Sequence, residues 1–232
     1  MVSVTKVFNA CAIGTGILAA VLFIRHVPLW ETTPPVPLRE GEAALVKAIF
    51  AEEIDTTVIR KHRGGCQRWG TVAEVSSSKD IYFCNISSHS DDFSRERDAF
   101  NYAVFMHETT HIWQRQNSYN YTNGRCQTYE YSLSPELPFT SYCNEQQAAI
   151  VMDYALRFIY FNPEESFLTR AWRDIFSGGK PASEYAADTP RSDFLLQKIV
   201  EDQFPQARVT RLALEAKRAR KTIIPHIPIP MS

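Results

Sequence analysis

His107-Glu108-Thr109-Thr110-His111 follows the pattern H-E-x-x-H within residues 94 to 116, which contain no glycine or proline. Four positions advance an α-helix by roughly 400°, so the two histidines lie on one face, a turn apart. Two imidazoles placed in this way can share one Zn²⁺ ion, and the Glu108 carboxylate can reach a water bound to that ion as a general base. The pattern therefore predicts a metallohydrolase site. The alternative is a chance pattern of two surface or core histidines.

The residues before the motif predict a helix with a buried face. Phe100, Val104, His107 and His111 recur at steps of four, three and four, which places them on one stripe of an α-helix. Ser94 is the candidate N-cap of this helix. The stripe predicts that both histidines continue the buried face and point inward.

A catalytic zinc ion needs a third protein ligand, and the candidate is Glu145. Residues 144 to 148 read N-E-Q-Q-A, and the periodic apolar residues that follow predict a second long helix. Glu145 would lie in the first turn of that helix. The alternative is that its carboxylate only complements the positive end of the helix dipole, an arrangement that needs no metal.

This combination resembles the gluzincin class of zinc metallopeptidases, in which H-E-x-x-H on one helix is completed by the glutamate of an N-E-x-x-A-like stretch on a following helix. Residues 107 to 114, H-E-T-T-H-I-W-Q, are also similar to the H-E-L-T-H-V-W-Q version in small bacterial zincin-like domains that accompany Rhs and contractile-injection proteins. The resemblance covers about residues 41 to 160. It implies a zincin fold, one catalytic Zn²⁺ on His107, His111 and Glu145, and peptide-bond hydrolysis with Glu108 as the base.

One position departs from the gluzincin pattern. The better-known members carry an aspartate four residues after the glutamate ligand, and this chain has Ala149 there. The next aspartate, Asp153, lies further along the same helix. Because such a carboxylate orients a zinc-bound histidine, the sequence leaves the partner of that histidine open.

An aromatic segment follows the motif helix, and it contains Asn123-Gly124, the strongest short signal for a β-hairpin. A tyrosine hydroxyl close to the zinc ion can polarise a carbonyl as it becomes tetrahedral. Tyr129 and Tyr131 are candidates for that role, although tyrosines of this kind more often pack a hairpin or line a cleft. The segment contains five tyrosines, namely Tyr119, Tyr121, Tyr129, Tyr131 and Tyr142.

The amino terminus predicts a membrane anchor. Residues 7 to 24 contain no charged side chain, and their length just suffices to span a bilayer as a helix. We predict an uncleaved signal-anchor over residues 1 to 26, with the domain in the periplasm or the extracellular space. The alternative is a cleaved signal peptide, which would make the protein secreted, although no A-x-A site ends the apolar residues.

Four cysteines lie outside the predicted anchor, and three pairings of them are possible. Order along the chain favours Cys66 with Cys84 and Cys126 with Cys143. Paired cysteines indicate an oxidising compartment, either the periplasm or the cell exterior. The alternatives are a structural zinc site, although no C-x-x-C occurs, and four free thiols in a cytosolic protein.

The length of the chain fits a single α+β domain over residues 41 to 205. Its predicted parts are a small sheet, the motif helix and the following helix that carries the third ligand. Such a sheet resembles the zincin arrangement in which an edge strand holds the extended backbone of the substrate. Around these parts we predict a helix from about Glu40, strands at 71–75 and 79–84, and covering helices near 167–176 and 194–200.

The two ends of the domain carry different compositions. Residues 27 to 40 contain several prolines and predict an extended linker, whereas residues 206 to 232 predict a basic helix and a proline-rich tail. The basic helix can face solvent, an anionic membrane surface or a partner. The net charge of −1 gives no basis for a nucleic-acid partner, and the sequence does not predict an oligomeric state.

The chain is therefore predicted to be a zinc metallopeptidase that acts on a peptide or protein substrate. The alternative is a non-catalytic zincin-like module that serves in binding or in association with a secretion system.

Overall fold

A computed structural model of the protein describes residues 34–67, 71–84, 88–118, 126, 128–160 and 189–223. Within these ranges the chain forms an α+β domain with five α-helices and one small mixed sheet, which confirms the predicted class. The strands are β1 (Val36–Pro37), β2 (Arg60–Arg63), β3 (Ala73–Val75) and β4 (Asp80–Phe83). The helices are α1 (Glu40–Phe50), α2 (Ala99–Gln116), α3 (Asn144–Tyr154), α4 (Thr189–Gln203) and α5 (Pro205–Ile223).

The sheet has the order β1-β2-β4-β3, so β3 lies at one edge. Strand β2 runs parallel to β4, whereas β1 and β3 pair antiparallel with their neighbours. The register sets Lys61 and Val75 on either side of Ile81, and these three side chains share the face of the sheet that covers the core. The two strands predicted before the motif helix are confirmed as β3 and β4, both slightly shorter than expected.

A buried ion pair connects the sheet to helix α1. The side chains of Lys61 and Glu42 are both fully buried, and Lys61 Nζ lies 2.5 Å from Glu42 Oε1. Lys61 also donates to the carbonyl oxygens of Ser90 and Asp91, at 3.2 and 3.1 Å, and Glu42 Oε1 accepts the N–H of Phe93 at 2.9 Å. Because a buried charge is tolerated only when it is paired and hydrogen-bonded, this network holds α1, β2 and the segment before α2 in one arrangement.

Helix α2 begins later than its sequence suggested. Its N-cap is Asp98, whose side chain accepts the N–H of Phe100 at 2.9 Å. The predicted N-cap, Ser94, lies instead in a 3₁₀ turn, Phe93–Arg95. The prediction of Ser94 was wrong because the side chain of Asp92 accepts the Ser94 N–H and caps this separate short turn.

The histidine stripe of α2 is less buried than predicted at its beginning. Phe100 and Val104 are half-buried, whereas Phe105 and Trp113, on other sides of the helix, are buried almost completely. Most of α2 lies inside the core, and the stripe that carries His107 and His111 is only partly buried at Phe100, Val104 and His111.

Aromatic side chains pack α1 and α2 against the junction of α4 and α5. The ring of Phe204, between α4 and α5, packs against Phe50 of α1 and Trp113 of α2, both at centroid distances of 5.0 Å. Phe139 adds a further contact at 5.3 Å. Helix α5 also packs on α1, where Thr210 donates to the carbonyl oxygen of Ala48 at 2.8 Å.

Both disulfide pairings favoured by the sequence are confirmed. Cys66 bonds to Cys84 with a Cα–Cα distance of 5.4 Å, and Cys126 bonds to Cys143 with a Cα–Cα distance of 6.0 Å. The first bridge joins the segment after β2 to the end of β4. The second joins the chain before α3 to Cys143, the N-cap residue of that helix.

Several predicted elements lie outside the described residues. They are the anchor at residues 1–26, residues 27–33 of the 27–40 linker, the hairpin at Asn123-Gly124, the helix near 167–176 and the tail after 223. Of the predicted linker, Val36 and Pro37 form β1. Among the helices of the described ranges, none combines the length and the apolar character needed to cross a bilayer.

The ion pair between Lys61 and Glu42 predicts a large mutational effect. Lys61→Met should lower the free energy of unfolding by about 3–5 kcal/mol, because the Glu42 carboxylate would stay buried without its cation. Lys198→Met is the matched control, since Lys198 pairs with Asp202 at an exposed site on α4, and its cost should be under about 1 kcal/mol. Urea unfolding of both variants measures the difference, and equal costs would contradict the structural role of the buried pair.

Candidate metal centre

The structure brings the three predicted ligand residues together. His107 and His111 lie one turn apart on α2, and α3 packs across α2 so that the first turn of α3 carries Glu145 to them. His107 Nε2 lies 3.2 Å from His111 Nε2 and 3.3 Å from Glu145 Oε2. His111 Nε2 lies 3.2 Å from the same carboxylate oxygen. Three potential ligand atoms therefore surround one point.

These distances fit a zinc ion. In a tetrahedral site with bonds of about 2.0–2.1 Å, neighbouring ligand atoms lie about 3.3–3.4 Å apart. Two imidazole nitrogens and one carboxylate oxygen are also ligand types that zinc accepts, and three protein ligands leave a fourth position for water or substrate. The side chains of His107, His111 and Glu145 expose 11%, 14% and 21% of their surface, so the site is sheltered but reachable.

A buried chain of amides orients His111. The Nδ1 atom of His111 lies 2.8 Å from Gln114 Oε1, and Gln114 Nε2 donates to the carbonyl oxygen of Asn144 at 3.0 Å and to Gln147 Oε1 at 2.9 Å. Because a carbonyl oxygen can only accept, the Gln114 amide must turn its NH₂ group to Asn144 and its oxygen to His111. His111 Nδ1 therefore carries a proton, and Nε2 is the nitrogen that faces the site, where it can hold either a proton or a metal ion.

Gln114 is the partner of the histidine that the sequence left open. Ala149 is buried and has no polar side chain, and the carboxylate of Asp153 accepts a hydrogen bond from the hydroxyl of Tyr131. The acceptor comes instead from the motif helix, three residues after His111, where a side chain lies on the same face. The spacing H-x-x-Q was therefore a usable signal.

The two carboxylate oxygens of Glu145 have different hydrogen-bond partners. Asn144 Nδ2 donates to Glu145 Oε1 at 3.0 Å, which leaves Oε2 of the same carboxylate facing the histidines. Burial disfavours the charge on Glu145, but the hydrogen bonds and charges of His107 and His111 outweigh that cost and hold the pKa of Glu145 far below its ordinary value.

Glu108 is buried next to His107. Burial raises the pKa of Glu108, the two histidines lower it, and the charges of Glu145 and Glu74 raise it again, so the net pKa is above that of an ordinary glutamate. The carboxylates in turn raise the pKa of His111, although burial of the ring opposes this. The site thus favours a positive charge between its acids, and either a proton or a metal ion can supply that charge.

The two candidate tyrosines occupy different places. The ring of Tyr129 lies 5.5 Å from the ring of His107, and 55% of the residue is exposed. The hydroxyl of Tyr131 is directed to Asp153 rather than to the metal site. Tyr119 and Tyr121 lie outside the described residues, and Tyr142 donates to the carbonyl oxygen of Ser132 at 3.1 Å.

The chain is similar to part of a secretion-system protein. It is 32% identical over 130 residues to the type VI secretion system spike protein VgrG2b of Pseudomonas aeruginosa, and this match covers 51% of the chain and 13% of that protein. The solved effector domain of Pseudomonas aeruginosa VgrG2b has 28% sequence identity, and the alignment covers 62% of this chain and 86% of that domain with a TM-score of 0.44. No protein-family model matches the chain.

The orientation of His111 predicts a measurable effect on metal affinity. Gln114→Leu should weaken Zn²⁺ binding by about 10- to 100-fold, because the His111 ring loses the acceptor that sets its tautomer. Competition with a chromophoric chelator measures the affinity. Gln116→Leu, on the same helix but hydrogen-bonded to Asp55 and Ser78, is the control and should bind zinc as the wild type does. Equal affinities in the two variants would show that Gln114 does not orient His111 for the metal.

Proposed function

We propose that the chain is a zinc-dependent metallopeptidase domain of the zincin type. The observation that supports the proposal is the convergence of His107 Nε2, His111 Nε2 and Glu145 Oε2 at mutual distances of 3.2–3.3 Å, next to the buried Glu108. A structural zinc site would have four protein ligands, whereas the described residues contribute three. The base and the open position are the parts that hydrolysis requires.

The similarity to VgrG2b supports a secretion-system-associated module. That relative is a type VI secretion system spike protein, and the support for peptidase activity comes from the geometry of the site. We propose an extracellular or secreted location for the domain. The two disulfides fit this location, because disulfides persist in oxidising compartments outside the cytosol.

When bound, Zn²⁺ supplies Lewis acidity, which makes a water more acidic and a carbonyl carbon more electrophilic. Glu108 accepts a proton from the attacking water, whose oxygen forms a bond to the carbonyl carbon of the peptide. The C–N bond then breaks, and Glu108 returns the proton to the departing amine. Burial raises the pKa of Glu108, so it is a better proton acceptor than an exposed glutamate would be.

The substrate backbone has one candidate support beside the site. Strand β3 lies at the edge of the sheet and packs near α2, so an extended peptide can add to it as a further strand. Arg115 covers part of this edge, since its guanidinium donates to the carbonyl oxygens of Val75 and Ser76 at 3.0 and 3.4 Å. Strand addition is therefore proposed at Ala73, because the backbone groups of Glu74 face β4 and the Val75 carbonyl is occupied by Arg115.

The second candidate function is a non-catalytic module that uses the zincin scaffold for binding or for association with a secretion system. The similarity to a spike protein favours it directly. Zinc would then be structural in this chain, or the site would hold no metal. Turnover of a peptide is the property that distinguishes the two functions.

Substitutions in the site test the proposed reaction. His107→Ala, His111→Ala and Glu145→Ala should each lower the zinc content sharply, because two remaining ligands bind zinc weakly. Glu108→Gln should keep its zinc, because residue 108 is not a ligand, while turnover of a mixed peptide library should fall by about 10²-fold or more. Metal analysis and mass spectrometry of the digested library give the two readouts.

The control is Glu52→Gln, a change of the same type at a side chain that is 86% exposed. It should alter neither zinc content nor turnover. Full zinc content in Glu145→Ala would remove Glu145 from the ligand set, and undiminished turnover in Glu108→Gln would remove the base. A folded, zinc-loaded wild type that cleaves no peptide would favour the non-catalytic module.

A further inference from the structure

The side chain of Asn144 connects the proposed ligand Glu145 to a disulfide. Its Nδ2 atom donates to Glu145 Oε1 at 3.0 Å, and its Oδ1 atom accepts the backbone N–H of Cys126 at 3.2 Å. Cys126 is the residue that is bonded to Cys143, directly before Asn144 in the chain. The Asn144 amide is thus hydrogen-bonded both to the Glu145 carboxylate and to the backbone of Cys126.

The orientation of this amide is determined by its neighbours. The N–H of Cys126 can only donate, so the oxygen of Asn144 must face it, and the NH₂ group must face Glu145. A rotated amide would lose both hydrogen bonds at once. The position of Cys126 therefore controls whether Asn144 can donate to Glu145.

The disulfide links Cys126 to the residue directly before Asn144. Cys126 and Cys143 are 17 residues apart in sequence, and the bond brings their Cα atoms to 6.0 Å. Cys143 is also the N-cap of α3, and its N–H donates to Gln146 Oε1 at 3.2 Å. The bridge thus attaches Cys126 to the rigid beginning of the helix that carries Glu145.

We propose that Asn144 is a positioning residue for Glu145 and that the Cys126–Cys143 disulfide holds Asn144 in its working orientation. With Oε1 held by Asn144, Glu145 presents Oε2 to the metal together with the two histidines. The zinc affinity of the site is then high only when this disulfide is formed. The inference depends on the proposed zinc-binding function and deepens it.

A dithiol reductant reverses this arrangement. It reduces the Cys126–Cys143 bond to two thiols and is itself oxidised to a cyclic disulfide, with two electrons and two protons transferred. In a reducing compartment the domain would therefore bind zinc weakly. In an oxidising compartment the site would be complete.

The other disulfide provides a matched control for a purely structural role. The Cys66–Cys84 bridge spans 18 residues and the Cys126–Cys143 bridge spans 17. The two bridges therefore restrict the unfolded chain to nearly the same extent, and removal of either should cost similar stability. If disulfides acted on zinc binding only through general stability, removal of either bridge would change zinc affinity equally.

The first experiment compares C126S/C143S with C66S/C84S in the full chain. Zinc affinity, measured by chelator competition, should fall by about tenfold or more in C126S/C143S. Zinc affinity should stay within about twofold of the wild type in C66S/C84S. A cooperative unfolding transition of each metal-free variant would show that both variants are folded. Equal zinc affinities in the two variants would overturn the proposal. Reduction of the wild type, followed by removal of the reductant before the measurement because thiols bind zinc themselves, should reproduce the C126S/C143S result without any substitution.

The second experiment is a double-mutant cycle between Asn144 and Glu145. Asn144→Ala should lower zinc affinity by about tenfold in the wild-type background and should have no further effect in Glu145→Ala, because Asn144 acts through that carboxylate. A structural role would lower the affinity equally in both backgrounds and would refute the proposal. The control is Asn117→Ala, which should leave zinc affinity unchanged. Asn117 lies at the end of α2 and donates to the carbonyl oxygen of Glu53 at 2.7 Å.

The failure of this inference differs from the failure of the proposed function. A wild type that binds no zinc would overturn both. Loss of zinc in Glu145→Ala, combined with wild-type affinity in Asn144→Ala and C126S/C143S, would leave the metal site intact and overturn only the positioning role.

Discussion

The hydrogen-bond chain from His111 through Gln114 to Gln147 is the interaction on which the site depends. It crosses the contact between α2 and α3, with distances of 2.8 and 2.9 Å, and it is buried. Gln147 in turn donates to the carbonyl oxygen of Tyr142 at 2.8 Å, so each amide has both a donor and an acceptor satisfied. Because an unsatisfied polar group inside a protein costs about 1–3 kcal/mol, this chain favours one orientation of α3 against α2 and one tautomer of His111.

The rest of the fold supports that helix contact from two sides. The aromatic group around Phe204 fills the space behind α2, and the ion pair of Lys61 and Glu42 joins α1 to the sheet. The apolar contacts contribute most of the stability, whereas the buried polar contacts determine which arrangement is adopted. The side of α2 that carries the histidines is different, because Phe100 and Val104 are only half-buried and the exposed Tyr129 lies 5.5 Å from the ring of His107.

The similarity to VgrG2b supports a module associated with a secretion system, and the geometry of the three side chains supports a metal site in that module. Two acids beside two imidazoles need a cation between them, and the geometry suits zinc. The two disulfides favour an oxidising compartment for the folded domain. We propose that the link from the Cys126–Cys143 disulfide through Asn144 to Glu145 relates the redox state of the compartment to the metal site.

The sequence by itself determined what depends on spacing within one element. H-E-x-x-H sets both histidines on one face of any helix, and local pattern placed Glu145 in the first turn of α3. Order along the chain favoured the two disulfide pairings among three possible sets, and the structure confirmed them. Tertiary structure decided the partners between elements, namely Glu42 for the buried Lys61, Gln147 for Gln114, and Cys126 for the side chain of Asn144. The physical reason is that a hydrogen bond between elements depends on how two helices or strands pack, to within a few tenths of an ångström, and no periodicity within either element encodes that geometry.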